Sequence, residues 1–315
     1  MTPAASRDDG ANLSHEAMPY QTIEESVDGT MAYVLAAVAR DQPVLIDLPG
    51  ERLNEVRDAL GPDARHVAFS DMSRDGRNPA SIIPGVMHRF IDDHPGRRAA
   101  IIAEPMWPGR STAEYTACLE HEALINLAFA QQTADILCRY DVASLPQQTF
   151  ADIQRTHPGL REKATQRVNP HYQDPALVLE SIPNLEPRTP DDAPVFRFSE
   201  VSEARRVARE WGAASGLPSD RLTDLLIAIS EVAGNSVEHA GNGGTLQYWR
   251  HDGSLIYEIR DQGHIRDRLA GRLPPPWEQE SGRGLLMVNL LCDLVQLRSG
   301  PSGTVVRLWM NVSTG

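Results

Sequence analysis

"LLIAISEVAGNSVEHA", residues 225–240, has the apolar spacing of an amphipathic helix. Leu222, Leu225, Leu226, Ile229 and Ala233 form one face, suited to lying on a core. The other side carries Glu231, Asn235 and His239 in a row. Side chains four apart stand on neighbouring turns with Cβ atoms ~5–6 Å apart, so Glu231 and Asn235 can converge on one object. A carboxylate and an amide carbonyl are hard oxygen donors, suited to a Mg²⁺ ion that bridges phosphates. The plainer alternative is a solvated helix face, where Glu and Asn are ordinary. His239 reads as a hydrogen-bonding group at the helix end, favoured there by the dipole.

The neighbouring segments set this helix in an α+β domain. "VFRFSE" (195–200) predicts a strand, and "EARRVAREWGAASG" (203–216) a helix that stops at Gly216. "GTLQYWRHDGSLIYEIRDQG" (244–263) predicts a hairpin turning at Asp252-Gly253. "GRGLLMVNLLCDLVQLRS" (282–299) reads as a helix running into a strand, and "GTVVRLWMN" (303–311) as the last strand.

Three short strings follow the helix in order. In "RDQG", Asp261 ends a strand and is placed to accept from an exocyclic amine, while Gly263 lets backbone approach a flat ring. In "SGRGLL" (281–286), Gly282 and Gly284 precede a helix and expose amides to phosphate oxygens. Arg283 offers a bidentate phosphate contact. In "SGTVVRL" (302–308), Thr304 brings a hydroxyl within reach of the base or of the Asp. Each string alone is common; their order and spacing are what carry the reading.

That order resembles the GHKL ATP-binding family. Glu231 to Asn235 stands as the N box, Asp261-x-Gly263 as the G1 box, and Gly282-x-Gly284-Leu285 as the G2 box. The resemblance covers about residues 195–312. "NSVEHA" and the short interval from Asp261 to Gly282 are similar to anti-sigma-factor serine kinases of the RsbW type, in which that interval is the ATP lid, here kept compact by "LPPPWEQES" (273–281). The resemblance implies an α+β Bergerat sandwich that holds ATP and Mg²⁺. In it Glu231 is the general base, Asn235 the Mg²⁺ ligand, Asp261 the adenine reader, and Gly263, Gly282, Gly284 and Leu285 shape the pocket. Arg283 or a neighbour faces the phosphates. Where many relatives have a second glycine in the G1 box, this chain has Ile265. The implied partners are a sigma factor and a STAS-type antagonist.

In the first half, strands and helices alternate. "PVLIDLP" (43–49), "HVAFSDM" (66–72), "RAAIIAEPMW" (98–107) and "DILCRYD" (135–141) predict strands. Between them "GERLNEVRDAL" (50–60), "SIIPGVMHRFIDDH" (81–94, with Pro84 as first turn or kink) and residues 111–130, opened by Ser111-x-x-Glu114, predict helices. Alternation argues for a mainly parallel sheet covered on both faces. "HEAMPY" (15–20), "PVLIDLP", "EPMWPGRS" (104–111), "HEALINLAFA" (121–130) and "CRYD" (138–141) resemble the MEDS sensory domain of the DcmR type. That family implies an α/β RecA-like fold without a functional P-loop and a small sensory ligand of unknown identity. "LPGERLNE" stands at the P-loop position with neither the Lys nor the following hydroxyl, so ATP turnover is not expected there.

The expected organisation is a disordered tail (1–13), a MEDS domain (14–160), a Pro-rich linker (161–194) and the GHKL domain (195–315), a combination like that of RsbA-type regulators. Short helices at 147–156 and 174–181 fit the composition. Cys118, His121 and Cys138 are candidate metal or redox ligands, but no fourth ligand is evident in the sequence. His121-Glu122 also invites comparison with a histidine-kinase phosphoacceptor, without the dimerising hairpin such a site needs.

Bulk properties narrow the classes. The 315 residues carry a formal charge of −13, and neither half has the basic footprint of a nucleic-acid binder or an anionic-membrane binder. Lys163 is the only lysine, which excludes a Walker A loop anywhere. Three cysteines make no disulfide framework, and no apolar run is long enough to span a bilayer, so a cytoplasmic bacterial regulator is expected. Three readings remain: an anti-sigma serine kinase under sensory control, a nucleotide-dependent binding module without transfer, and a sensor histidine kinase. Communication between the halves is open to docking or to a homodimer.

Overall fold

The computed structural model describes residues 12–162, 165–183, 185–241, 243–275 and 282–312. It divides into two compact units. The first holds residues up to Asp75, Val86–Gly109 and Glu122–Ile182; the second holds Gly76–Gly85, Arg110–His121 and Pro183 onward. The expected tail lies outside the described residues as far as residue 11, and Leu13 already belongs to a strand.

The first unit contains β1 (Leu13–Tyr20), α1 (Ile23–Ala39), β2 (Val44–Leu48), α2 (Gly50–Leu60), β3 (Val67–Asp71) and α3 (Met72–Asp75). It continues with α5 (Arg89–Asp92), β4 (Ala99–Ala103), β5 (Ala134–Asp141), α7 (Gln147–Thr156), β6 (Gly159–Glu162), β7 (Thr165–Val168) and α8 (Pro175–Ser181). The sheet order is β3-β2-β4-β5-β1-β6-β7. All pairs are parallel except β6–β7. β2, β4 and β5 are buried at every position, as expected of parallel strands covered on both faces. One face packs Ile46, Leu48, Ile102 and Leu137 against Val34 of α1 and Leu53 and Val56 of α2.

Several features were not legible in the sequence. β1 is absent from the predicted strands because it carries buried His15 and Glu16 where an apolar run would have marked it. Glu16 is matched by Arg161 of β6, whose Nε donates at 2.7 Å. A Cβ on Gly159 would stand 2.8 Å from Glu16 Cγ, so only glycine lets β6 approach this closely. Of the stretch predicted as linker, Arg161 and Glu162 complete β6 and Thr165–Val168 form β7, while the short helix expected at 174–181 stands as α8; these elements belong to the first unit. Asp174 caps α8 by accepting from the Ala176 amide, with Pro175 at the first helical position. Around Pro84 the helix widens: α4 (Pro79–Ser81) runs into a π-helical stretch over Ile82–His88 before α5. Proline has no N–H to close an α turn, and the wider turn absorbs the gap.

Helix α6 (Thr112–Ala128) opens with the predicted box: the Ser111 amide donates to Glu114 Oε2 at 2.8 Å, and the Glu114 amide to Ser111 Oγ at 3.3 Å. Its residues up to His121 are part of the second unit.

The rest of the second unit is β8 (Val195–Phe198), α9 (Val201–Ala214), α10 (Ser219–His239), β9 (Gly244–His251), β10 (Ser254–Asp261), α11 (Gly284–Leu291), β11 (Leu294–Gly300) and β12 (Gly303–Asn311). The sheet order is β11-β12-β10-β9-β8, and every pair is antiparallel. The hairpin turns at Asp252 (φ 43°) and Gly253 (φ 80°), two positive angles that suit a two-residue turn. α10 buries Leu225, Leu226, Ile229 and Ala233 in the main core with Leu255, Tyr257 and Ile259 of β10. The alternate residue Glu258 points the other way and pairs with Arg307 at 2.5 Å, both fully buried. Thr189 donates to Glu258, and Arg307 donates to the Pro187 carbonyl, which fixes this stretch to the sheet. On that same side Trp249, Ile256, Leu294 and Trp309 pack with Ala113 and Ala117 of α6. Among the described residues, no helix is long and apolar enough to cross a membrane.

Two acids in the first unit make a pH prediction. Burial pushes the Asp47 carboxyl up to about 7, and pushes Glu104 to about 7 against the opposing pull of Arg139 and Arg52. A carboxyl held above its unfolded value near ~4 binds its proton more tightly in the folded state. Its contribution is intact below that value and is lost as pH rises to about 7. Asp47→Asn should therefore raise the Tm at pH 8 and leave it nearly unchanged at pH 4; thermal melts at the two pH values check this.

Candidate functional site

The structure sets Glu231 of α10 against Gly284, and Asp261 at the end of β10 against Ser236 of the same helix and Gly263. α10 carries Glu231 and Asn235, both partly buried, on the side away from its core face. Gly284, the first residue of α11, lies against this row. A Cβ placed on Gly284 would stand 2.5 Å from Glu231 Oε2. The N-box carboxylate and the second glycine string are thus in direct apposition, and the absent side chain leaves the space between them. Among the described residues, no hydrogen bond or ion pair engages the side chain of Glu231 or of Asn235. Partly buried polar groups without protein partners fit a ligand that supplies them.

Asp261 ends β10 and is held from two sides. Ser236 of α10 donates to Oδ2 at 2.6 Å, and the Gly263 amide donates to Oδ1 at 2.7 Å. A carboxylate accepts at about four positions, so this leaves acceptor capacity on an oriented group. Gly303 (φ +121°) makes the approach possible, because a Cβ there would come within 2.3 Å of the Asp261 carbonyl oxygen. Thr304, opposite Asp261 in the β10–β12 ladder, donates to the Gly263 carbonyl at 2.9 Å rather than reaching the Asp261 carboxylate. Its other neighbour is Ser299 Oγ at 2.7 Å, which in turn accepts from the Ile265 amide at 2.8 Å. The departure at Ile265 is thereby accommodated: its backbone, not its side chain, ties the loop to the sheet.

Gly282 (φ 93°) and Arg283, the N-cap residue of α11, precede Gly284, so the second glycine string sits at the start of a helix. Leu285 and Asn289 of α11 lie against Gly271, within the predicted lid interval. A Cβ on Gly271 (φ +74°) would meet Leu285 Cβ at 2.7 Å, and Asn289 donates to the Gly271 carbonyl at 2.8 Å. Arg272 next to it donates to Glu120 Oε1 at 2.8 Å, while Arg298 donates to Glu120 Oε2 at 2.7 Å. Of the predicted lid, residues 276–281 lie outside the described residues. His239 is exposed in the last turn of α10, and among the described residues no hydrogen bond engages its side chain, so the expected helix-end hydrogen bond is not formed.

Sequence reasoning missed Ser236, Ser299 and Gly303, which orient Asp261 and its loop. Ser236 follows Asn235 directly and reads as an ordinary helix residue until its hydroxyl is seen on Asp261. In the first unit, Cys138 lies in a fully buried group with His15, Glu122 and His157, whereas Cys118 and His121 are not members. Burial, with His157 beside it, holds the His15 imidazole below its ordinary value. Burial and the Glu122 carboxylate push the Cys138 thiol well up. In the stretch that the sequence offered as a P-loop position, Arg52 of α2 pairs with Glu104 at 3.1 Å and Asp141 at 2.8 Å, and Tyr20 donates to Glu104 at 3.0 Å.

Two stretches of the chain match known families. Residues 14–158 match the family described as "MEDS: MEthanogen/methylotroph, DcmR Sensory domain". Residues 196–310 match the "Histidine kinase-like ATPase domain" family. No curated protein matches the chain. Among solved structures, the RsbU and RsbW domains of Rv1364c from Mycobacterium tuberculosis are similar at 18% identity with a TM-score of 0.30. That similarity covers 66% of this chain and 50% of the other, so the chain spans about half the length of that solved chain.

The apposition of Gly284 and Glu231 predicts opposite outcomes for two glycines. Gly284→Ala forces the Glu231 carboxylate aside and should weaken nucleotide binding ~5-fold or more, as an overpacked contact costs ~1–3 kcal/mol. Gly234→Ala, on α10 with nothing within 4 Å of the added carbon, should instead stabilise the fold by ~0.5–1 kcal/mol. Titration calorimetry with ADP and thermal melts separate the two effects.

Proposed function

We propose that this chain, a MEDS domain followed by a histidine kinase-like ATPase domain, is an anti-sigma regulator with protein-serine kinase activity, governed by its N-terminal sensory half. The observation that carries the reading is that α10 bears both the Glu231 that Gly284 approaches and the Ser236 that, with the Gly263 amide, holds Asp261. In this reading ATP supplies the transferable phosphoryl group and Mg²⁺ neutralises its charge.

The chain's own groups then have distinct tasks. Asp261, fixed by Ser236 and Gly263, presents a remaining lone pair to the adenine amine. Asn235 offers its amide oxygen to Mg²⁺. Gly282, Arg283, Gly284 and Leu285 bring the start of α11 to the phosphates, where backbone amides and the helix dipole favour negative charge. Thr304 acts indirectly, by holding the Gly263 carbonyl. Glu231 orients the hydroxyl of a partner's Ser and accepts its proton. Phosphoryl transfer asks for little covalent work from the protein, so positioning and charge neutralisation carry most of the effect.

The partners of this reading are a sigma factor and a STAS-type antagonist. The sensory half is read as a RecA-type core whose P-loop position holds ion pairs in place of a phosphate. Glu120 supports regulation by that half. It falls within the MEDS match, and it clamps Arg272 at the start of the lid to Arg298 of β11. A change at α6 would thus be felt where the lid begins.

A nucleotide-dependent binding module without transfer remains the second reading, because the same pocket serves both. Labelled ATP with candidate partner proteins separates them: acid-stable phosphate on a partner's Ser is expected, and nucleotide-dependent capture without transfer would support the module instead. Glu231→Ala should retain ADP binding and lose at least ~100-fold in transfer, the usual scale of a general base. Asn235→Ala should lose the Mg²⁺-dependent part of the affinity. Unchanged transfer in Glu231→Ala would remove the assigned base.

A further inference from the structure

The first unit holds a group of side chains that nucleotide chemistry does not use. His15 comes from β1, Glu122 from α6, Cys138 from β5, and His157 from the position after α7. All four are buried, and one donor atom from each lies within 4.8 Å of the others. Glu122 Oε2 is 3.2 Å from His15 Nε2, 3.3 Å from His157 Nε2 and 3.4 Å from Cys138 Sγ. Cys138 Sγ is 3.6 Å from His15 Nε2.

The surrounding hydrogen bonds fix which ring nitrogens carry hydrogen. Asn126 directs its amide N–H groups to the carbonyls of Glu122 (3.2 Å) and Thr156 (2.8 Å). Its Oδ1 is therefore an acceptor, and His15 Nδ1 donates to it at 3.0 Å. His157 Nδ1 faces the Ile153 carbonyl at 2.8 Å, again an acceptor. Both Nδ1 atoms are occupied as donors, and both Nε2 atoms of neutral rings turn lone pairs toward one carboxylate oxygen. Metal-bound histidines are held in this way, with the distal N–H given to a carbonyl or amide. Tyr140 donates to the other oxygen of Glu122 at 2.5 Å and orients it.

Protons satisfy this group poorly. Two imidazolium rings against one carboxylate leave an uncompensated buried charge; with one imidazolium the other ring's lone pair is opposed to the same oxygen, and the Tyr140 hydroxyl 3.2 Å from His157 Nε2 is already given to Glu122 at 2.5 Å. The imidazole–carboxylate separations also exceed the ~2.7–2.9 Å usual for charge-assisted hydrogen bonds. They fit a different geometry. Donors about 2.0–2.3 Å from a tetrahedral zinc ion stand about 3.3–3.6 Å from one another. A divalent cation with one carboxylate, one thiolate and two neutral imidazoles sums to zero charge, which a dry interior tolerates.

We propose that His15, Glu122, Cys138 and His157 form a closed four-coordinate zinc site in the first unit. Thiolate and imidazole donors select a zinc-class ion over Mg²⁺ or Ca²⁺. With four protein ligands no position is open to water, so the ion cross-links β1, β5, α6 and the end of α7 rather than hydrolysing a substrate. This site is independent of the nucleotide reading and stands if that reading fails.

The test uses the full chain, stripped with a chelator under native conditions and shown to be folded by circular dichroism. Titration should give about one tightly held Zn²⁺ per chain and a raised Tm, as binding to the folded state alone stabilises it. Co²⁺ in its place should give intense visible bands of a tetrahedral ion and near-ultraviolet thiolate-to-cobalt absorption. Cys138→Ser should lose the near-ultraviolet band, while Cys118→Ser keeps it. Folded wild-type protein that takes up neither ion at micromolar concentration overturns the site, as does a cobalt spectrum without thiolate absorption. The wild-type spectrum decides the matter even where Cys138→Ser fails to fold.

Discussion

The second unit depends on how Asp261 is held. Its carboxylate receives the Ser236 hydroxyl from α10 and the Gly263 amide from its own loop, so one acidic group ties the central helix to the end of the central strand. This is possible only because the chain makes close approaches around it. Gly303 passes the Asp261 carbonyl at a distance no Cβ could occupy, in a positive-φ conformation. Thr304 and Ser299 then secure the carbonyl of Gly263 and the amide of Ile265. The result is a preorganised acceptor, and preorganisation is what lets a single carboxylate discriminate a ligand without first paying to order itself.

Much of this was legible in the sequence, and the exceptions share a cause. α10 announces itself by apolar spacing, and the hairpin by Asp252-Gly253, because local chemistry decides both. The apposition of Glu231 and Gly284 follows from the order of the strings. What stayed hidden is polar and non-local. β1 carries His15 and Glu16 inside a fully paired parallel strand, and their partners Asn126 and Arg161 are more than a hundred positions away. The hairpin of β6 and β7 lies in a stretch whose prolines and short apolar runs read as linker. Of the two partners offered for Thr304, the Asp261 carboxylate is not the one its hydroxyl meets; it donates to the Gly263 carbonyl, since which oxygen a hydroxyl meets depends on strand register. Cys118 and His121 drew attention by spacing on one helix, whereas the group that forms joins Cys138 to three residues from other parts of the fold, His15, Glu122 and His157.

Helix α6 has two kinds of work along its length. Ala113 and Ala117 pack on the sheet face that carries Trp249 and Trp309, and Glu120 joins Arg272 to Arg298. Glu122, two positions further on, belongs to the buried histidine–cysteine group of the first unit. The packing needs small residues at 113 and 117, and the two acids need burial with partners. These demands explain a helix that mixes alanine with acidic side chains and has little amphipathic contrast.

The central claim is that segments distant in sequence close around one nucleotide in the second unit. Hydrogen exchange of the intact chain, with and without ADP and Mg²⁺, tests it most directly. The account predicts slower exchange of backbone amides at 231–240, 261–265 and 284–291, and none at 48–55, where a P-loop would stand. Protection at 48–55, or no change at all under millimolar ADP and Mg²⁺, would contradict it.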